Sequence, residues 1–271
     1  MNMKTRALWI GGLLWSLALL PLPQTAQAEW SAQEIIGLAQ RQLAVPAEFV
    51  LGDMKVFHGT KLTRSYSFVM GRLWEADTRT ELVRIDFKTA LNTSLHTDHR
   101  YLLKRAAQAP ASQWLYLPAL RRVRIVPYQP DDPLLQSHYL FYDLTPLRNF
   151  GDYHYRFLDP NPQAPVIEGR PHETALSVPY DAVVLHLERR GETYLLTAIH
   201  GTVRGKPKHA RFSAFTEIAP GRYRPRQLSV EEEGGRTELF FSQWTITAPK
   251  PHLLTPTHLE TQTLVLPTTP P

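Results

Sequence analysis

Val83-Arg84-Ile85-Asp86-Phe87-Lys88 alternates apolar and charged side chains without a break. A period of two places Val83, Ile85 and Phe87 on one face of an extended strand and the three charges on the other, which is the pattern of a half-buried antiparallel strand. The segment just before it repeats the pattern: Tyr66, Phe68, Met70 and Trp74 share one face, and Ser65, Ser67 and Gly71 share the other.

Turn chemistry extends the reading into the second half. Arg190-Gly191 separates residues 182–188 from 193–200, Pro220-Gly221 links 212–218 to the chain from Tyr223, and Gly234-Gly235 divides 227–232 from 237–246. Such turns join neighbouring strands and predict a meander. Residues 90–112 and 159–180 lack clean periodicity and read as excursions or short helices. At the other end, Ser31 is a candidate helix N-cap, Glu34 completes a capping box, Trp30 can staple onto Ile35, and Pro46 ends the helix. Ile35, Ile36, Leu38, Ala39 and Leu43 make one apolar side, which must lie on something. The expected fold is mainly β (α+β): a large antiparallel sheet that must curl around its own side chains, a helix or a ligand, because a sheet this wide cannot stay flat.

Before the helix, Lys4 and Arg6 precede an apolar run from Ala7 to Leu20 and the small-x-small stretch Ala26-Gln27-Ala28. That order describes a secretory signal peptide over residues 1–28. The run is short of the roughly 20 residues of a membrane span and is soon broken by Pro21 and Pro23. A single β-rich domain is expected over 29–247, followed by a Pro/Thr-rich extension over 248–271. The formal charge of +5 falls by two when Lys4 and Arg6 are removed, and no stretch concentrates basic residues in the way nucleic-acid binding requires. With no cysteine in the chain, disulfides, thiolate metal sites, cysteine nucleophiles and a lipid-modified cysteine are excluded. An exported chain without an anchor points to the periplasm first and to secretion second.

The nucleophile elbow, the phosphate-binding loop, the dinucleotide fingerprint and the H-E-x-x-H zinc motif are all absent, so no cofactor is expected. His96-Thr97-Asp98-His99 has metal-like spacing but nothing to complete a tetrahedral site. His154, His186 and His200 read as face-filling or surface residues, and Asp131-Asp132 and Glu231 to Glu233 as solvated turn charge.

The segment from Trp114 to Ile125, WLYLPALRRVRI, joins an aromatic strand, a turn at Pro118 and a second strand with three arginines. Trp114 and Tyr116 share one face, and Arg122 and Arg124 point together opposite Val123 and Ile125. Such a strand pair borders something apolar on one side and something polar or anionic on the other, or is a sheet packed on a helix with surface arginines. This W-x-Y-x-P…R-R-V-R-x-I pattern, followed by Tyr139-Leu140-Phe141-Tyr142-Asp143-Leu144 and then by Tyr153 to Phe157, resembles the LolA-like family of outer-membrane lipoprotein-sorting proteins. The match is clearest over these roughly 45 residues. At one place the chain departs from the family pattern: Asp132 to His138 stands where relatives carry a small polar stretch.

The resemblance implies a half-barrel, a strongly curved antiparallel sheet wrapped around an N-terminal helix and short helical excursions, with an apolar cavity for acyl chains. It further implies a periplasmic lipid- or lipoprotein-binding carrier or sensor, with an inner-membrane exporter or an outer-membrane acceptor as partner. On that reading Trp74, Phe87, Trp114, Tyr116, Phe141, Tyr153 and Tyr155 are candidate cavity liners. Arg122 and Arg124 are candidates for contact with a head group or partner. The inward face of each strand is a two-way choice, because a slip of one residue inverts it. The alternative is a non-transporting interaction subunit of an envelope complex, which a filled core without a cavity would favour. The protein is read as a non-enzyme.

Overall fold

The computed structural model describes residues 30–89, 99–175 and 178–265. The signal peptide, Asn92 to Asp98 of the polar stretch and the last six residues therefore lie outside the described residues. Helix α1 (Ala32–Leu43) starts where the capping box places it: the Glu34 backbone N–H donates to Ser31 Oγ at 3.3 Å, and the Ser31 N–H donates back to the Glu34 carboxylate at 2.7 Å. Ile35, Ile36 and Ala39 are buried, while Trp30 is largely exposed.

The first half of the sheet is a meander: β1 (Ala47–His58), β2 (Lys61–Glu75), β3 (Thr80–Thr89), β4 (His99–Arg105), β5 (Ser112–Leu117) and β6 (Arg122–Val126). The second half contains β7 (Tyr153–Asp159), β8 (Val166–Pro171), β9 (Tyr180–Arg190), β10 (Thr193–Val203), β11 (Lys206–Ser213), β14 (Gln227–Glu232) and β15 (Gly235–Thr245). The small hairpin β12 (Thr216–Ala219) and β13 (Arg222–Arg224) lies between β11 and β14. Pairing of β1 with β15 fuses the halves into one thirteen-stranded antiparallel sheet, in the order β6-β5-β4-β3-β2-β1-β15-β14-β11-β10-β9-β8-β7. The sheet is strongly curved and does not close into a barrel.

Residues 127–152, with short helix α2 (Pro146–Asn149), connect the edge strand β6 to the opposite edge strand β7. They run across the concave face. There Phe141 stacks on Tyr101 of β4 at 4.8 Å, and the Tyr142 ring meets Tyr180 of β9 edge-on at 5.9 Å. Helix α1 packs on β7 and β10 at the same face.

Two sequence expectations need correction. The stretches read as excursions contain true strands, β4 and β8. In β4, Tyr101, Leu102 and Leu103 are all buried, so alternation is lost because both faces of the strand are covered. The Pro220-Gly221 turn joins β12 and β13, which form their own two-stranded sheet, and β11 pairs directly with β14. The Pro/Thr-rich segment is packed as well: Leu254, Leu259 and Leu264, in and around helix α3 (Pro256–Thr261), are each no more than 4 % exposed and lie against the convex face. Arg84 of β3, fully buried, anchors that segment by donating to the carbonyls of Leu253 (2.7 Å) and Gln262. It also pairs with Asp86 at 2.9 Å. Asp86 in turn accepts the Leu264 N–H at 2.6 Å. No helix among the described residues is long and apolar enough to cross a membrane.

Candidate functional site

Strand alternation aims the even residues of β1 and β2 and the odd residues of β3 at the concave face, so Met54, Phe68, Met70, Ile85 and Phe87 converge there. Leu228, Val230, Leu239 and Phe241 of β14 and β15 continue the same wall, and Val183, Leu185 and Ile199 of β9 and β10 complete it. Ala39 and Leu43 of α1 and Leu134, Leu144 and Phe150 of the crossover close the other side. Between them is a cavity of about 190 Å³. That is somewhat larger than the ~150 Å³ that accepts a benzene and smaller than the ~300 Å³ at which drug-sized sites begin.

The polar groups in this lining are few and mostly satisfied. Asp143 accepts the Tyr180 hydroxyl at 3.0 Å and the Leu140 N–H at 3.2 Å. Burial raises its pKa, against the opposing effects of Lys208 and those two donors. The Tyr139 hydroxyl donates to the Asp143 carbonyl at 2.7 Å. The Tyr142 hydroxyl lies 3.0 Å from Asp152 and 3.1 Å from the Tyr153 hydroxyl. Burial pushes the phenols of Tyr139, Tyr142, Tyr153 and Tyr180 well up, which keeps them neutral hydrogen-bonding groups.

Beneath the lining runs a chain of buried charge. Arg224 pairs with Glu48 at 3.0 Å, and Glu48 with Arg72 at 2.6 Å. Arg72 Nε lies 3.2 Å from Glu81, which accepts the Arg148 backbone N–H at 3.0 Å. Arg148 and Arg105 both grip Asp152, at 2.7 and 2.5 Å. Burial raises the Glu81 pKa to about 7, with Arg72 opposing the shift.

Of the residues singled out in the sequence, the structure brings Phe87, Tyr153 and Tyr155 together in the cavity lining. Phe141 lies beside it, in the core against Tyr101. Trp74 shares the inward face but sits at the end of β2, opposite Glu81. Trp114 and Tyr116 are on the convex face, packed with Leu102 under Leu254 and Leu259, and Arg100 covers the Tyr116 ring at 4.7 Å. The physical reason is the second apolar layer: once the C-terminal segment covers the convex side, aromatic residues are buried there too. The inward residues of β5 are instead Gln113 and Leu115, with Leu115 packed on the concave-side core. Arg122 and Arg124 are exposed on edge strand β6, away from the cavity. Arg72, Asp143, Arg224 and Trp244 were missed. Arg72 carried a usable signal, since it falls on the apolar face set by Phe68 and Met70. Among the described residues no group of three or more His, Asp or Glu side chains is arranged to hold a metal ion.

Solved structures that share this architecture include the following three. A domain from Vibrio parahaemolyticus, assigned by name to outer membrane lipoprotein sorting, is 18 % identical with a TM-score of 0.70, over 84 % of this chain and 99 % of that one. A DUF1329 family protein from Desulfovibrio piger is 17 % identical with a TM-score of 0.72, over 84 % and 97 %. A LolA superfamily protein from Nitrosomonas europaea is 14 % identical with a TM-score of 0.60, over 83 % and 98 %. No curated protein matches the chain. A family model described only as that of an uncharacterized protein matches residues 87–261, from the end of β3 through α3. The chain therefore belongs to that family, and its fold is LolA-like.

Proposed function

We propose that this protein is an exported periplasmic carrier or sensor that shelters the apolar tail of a lipid, a lipoprotein or a similar amphiphile between its curved sheet and the α1 and crossover layer. The observation that carries the proposal is the cavity itself: an unfilled space of about 190 Å³ walled mainly by Phe, Leu, Met, Ile and Val side chains. Each methylene moved there from water gains about 0.8 kcal/mol, so even eight methylenes supply roughly 6 kcal/mol gross without any catalytic group. The signal peptide read over residues 1–28 supports the address. The name carried by the Vibrio structure supports a lipid-linked cargo. The space in the core favours a carrier over a docking subunit with a filled core. A partner in the envelope, either a donor exporter or an acceptor, completes the proposal.

Native mass spectrometry with organic extraction, on protein purified gently from a bacterial envelope, tests it. A co-purifying amphiphile of defined mass is the expected result. A clean apo mass, with no uptake of an apolar dye, would favour the docking subunit.

A further inference from the structure

The chain of buried charge beneath the cavity does not balance. Its four guanidinium groups, those of Arg72, Arg105, Arg148 and Arg224, are at most 11 % exposed. They face the three carboxylates of Glu48, Glu81 and Asp152, each about 1 % exposed or less. A buried, uncompensated cation is costly, and proteins normally supply its counter-charge. Because burial raises the Glu81 pKa to about 7, one of the three negative charges is only partly present at neutral pH, and the excess grows.

Two members of this chain, Arg72 and Arg224, reach the cavity lining, to which Trp244 also belongs. The Arg224 guanidinium lies 5.7 Å from the Trp244 ring and shares Glu48 with Arg72. Here, too, hydrogen bonding is left incomplete: Trp244 Nε1 is buried without an acceptor. Arg72 Nε and Glu81 Oε1, though 3.2 Å apart, are misaligned and form no hydrogen bond. A buried indole N–H normally finds a partner. The one carboxylate in the lining, Asp143, pairs with none of these four guanidiniums, and the cation that acts on it is Lys208.

We infer that the cavity recognises an amphiphile with an anionic head, a carboxylate or a phosphate, which takes the Trp244 Nε1–H and the Arg72 and Arg224 guanidiniums while the tail fills the apolar space. This inference rests on the carrier reading and adds the class of head group to it. The indole donates one hydrogen bond to the anion, the guanidiniums supply the charge, and the anion neutralises the excess of the buried network.

The test is competition against a neutral apolar naphthylamine dye bound in the cavity, using octanoate, octyl phosphate, octanol and octylamine at pH 7.4. The two anions are expected to displace the dye at concentrations about tenfold or more below those of the alcohol and the amine, the worth of one charge-assisted hydrogen bond. Octanoate against octyl phosphate shows which anion is preferred. Trp244→Phe keeps an aromatic ring, a smaller one, and removes the donor. It is expected to reduce the preference for the anions over octanol about tenfold, whatever the smaller ring does to apolar binding in general, with a wild-type circular dichroism spectrum. Equal displacement by anions and octanol, or an undiminished anion preference in Trp244→Phe, overturns the inference and leaves the carrier reading intact. Displacement by none of the four overturns both.

Discussion

Arg84→Met would release the C-terminal segment from the convex face. The Arg84 side chain is fully buried and does two things at once: it neutralises Asp86, which is 7 % exposed, and it donates to backbone carbonyls at both ends of α3. Methionine matches its length and apolar stem but leaves Asp86 as an unpaired buried charge, at a cost of about 3–5 kcal/mol for a pair broken on one side. The remaining anchors include the hydrogen bond from Arg100 to the Leu259 carbonyl at 2.7 Å and that from the Val123 N–H to Glu260 at 2.8 Å. At roughly 1 kcal/mol each these do not replace it. A segment that can open locally will do so before the sheet unfolds. Hydrogen exchange read by mass spectrometry is therefore expected to accelerate over residues 250–265 by two to nearly four decades, the equivalent of ~3–5 kcal/mol. Exchange in β1 and β15 should change little, and dye uptake by the cavity on the opposite face should persist. Protection of the Leu264 amide at the wild-type level would refute the reasoning, as would loss of protection spread evenly over the whole sheet.

Two further predictions follow from the interior. Glu81→Gln removes a carboxylate whose folded pKa is raised from 4.5 to about 7. The folded state of the wild type therefore holds a proton that the unfolded state has released, and stability from this site is lost as pH rises from about 4.5 to 7, by up to roughly 3 kcal/mol. Urea melts should show the variant close to wild type below pH 4.5 and gaining on it up to pH 7 and beyond, and a constant gap across that window would contradict the placement of Glu81. Gly52→Ala puts a methyl 2.5 Å from the Phe240 carbonyl oxygen and 2.6 Å from Phe68 Cζ, at the register shift in β1. The carbonyl is ladder backbone and cannot yield, so the variant is expected to lose about 1–3 kcal/mol, or roughly 2–4 °C in Tm per kcal/mol for a chain this long. An unchanged melting temperature would show that the bulge relaxes freely.

Much of the fold was legible because local chemistry and tertiary packing agree. The Ser31–Glu34 box starts α1, the alternation at 83–88 and 65–74 marks β3 and β2, and the Arg190-Gly191 and Gly234-Gly235 turns join β9 to β10 and β14 to β15. Legibility failed where a second layer covers the sheet. Tyr101-Leu102-Leu103 carries no period of two because both of its faces are dry. Trp114 and Tyr116 satisfy every compositional test for an apolar surface, but which surface they face depends on Leu254 and Leu259, about 140 residues away in sequence. Of the aromatic residues named from the sequence, Phe87, Tyr153 and Tyr155 lie in the cavity lining. The polar groups of the lining were missed, because Arg72 and Arg224 acquire meaning only through Glu48, a partner that pairing of β1 with β2 and packing of β13 bring to them, and Trp244 only through its place beside Arg224.

Filling the cavity tests the central claim most directly. Ala210 of β11 projects its methyl into the lining, and a phenyl ring there takes most of a space that is only modestly larger than a benzene needs. A fluorescence titration of wild type and Ala210→Phe with the neutral dye, alongside a thermal melt, reads both binding and fold. The account predicts at least a tenfold loss of dye affinity in a variant that melts cooperatively within a few degrees of wild type. Undiminished dye binding by a folded Ala210→Phe would place the ligand elsewhere and contradict the claim that this cavity is the binding site.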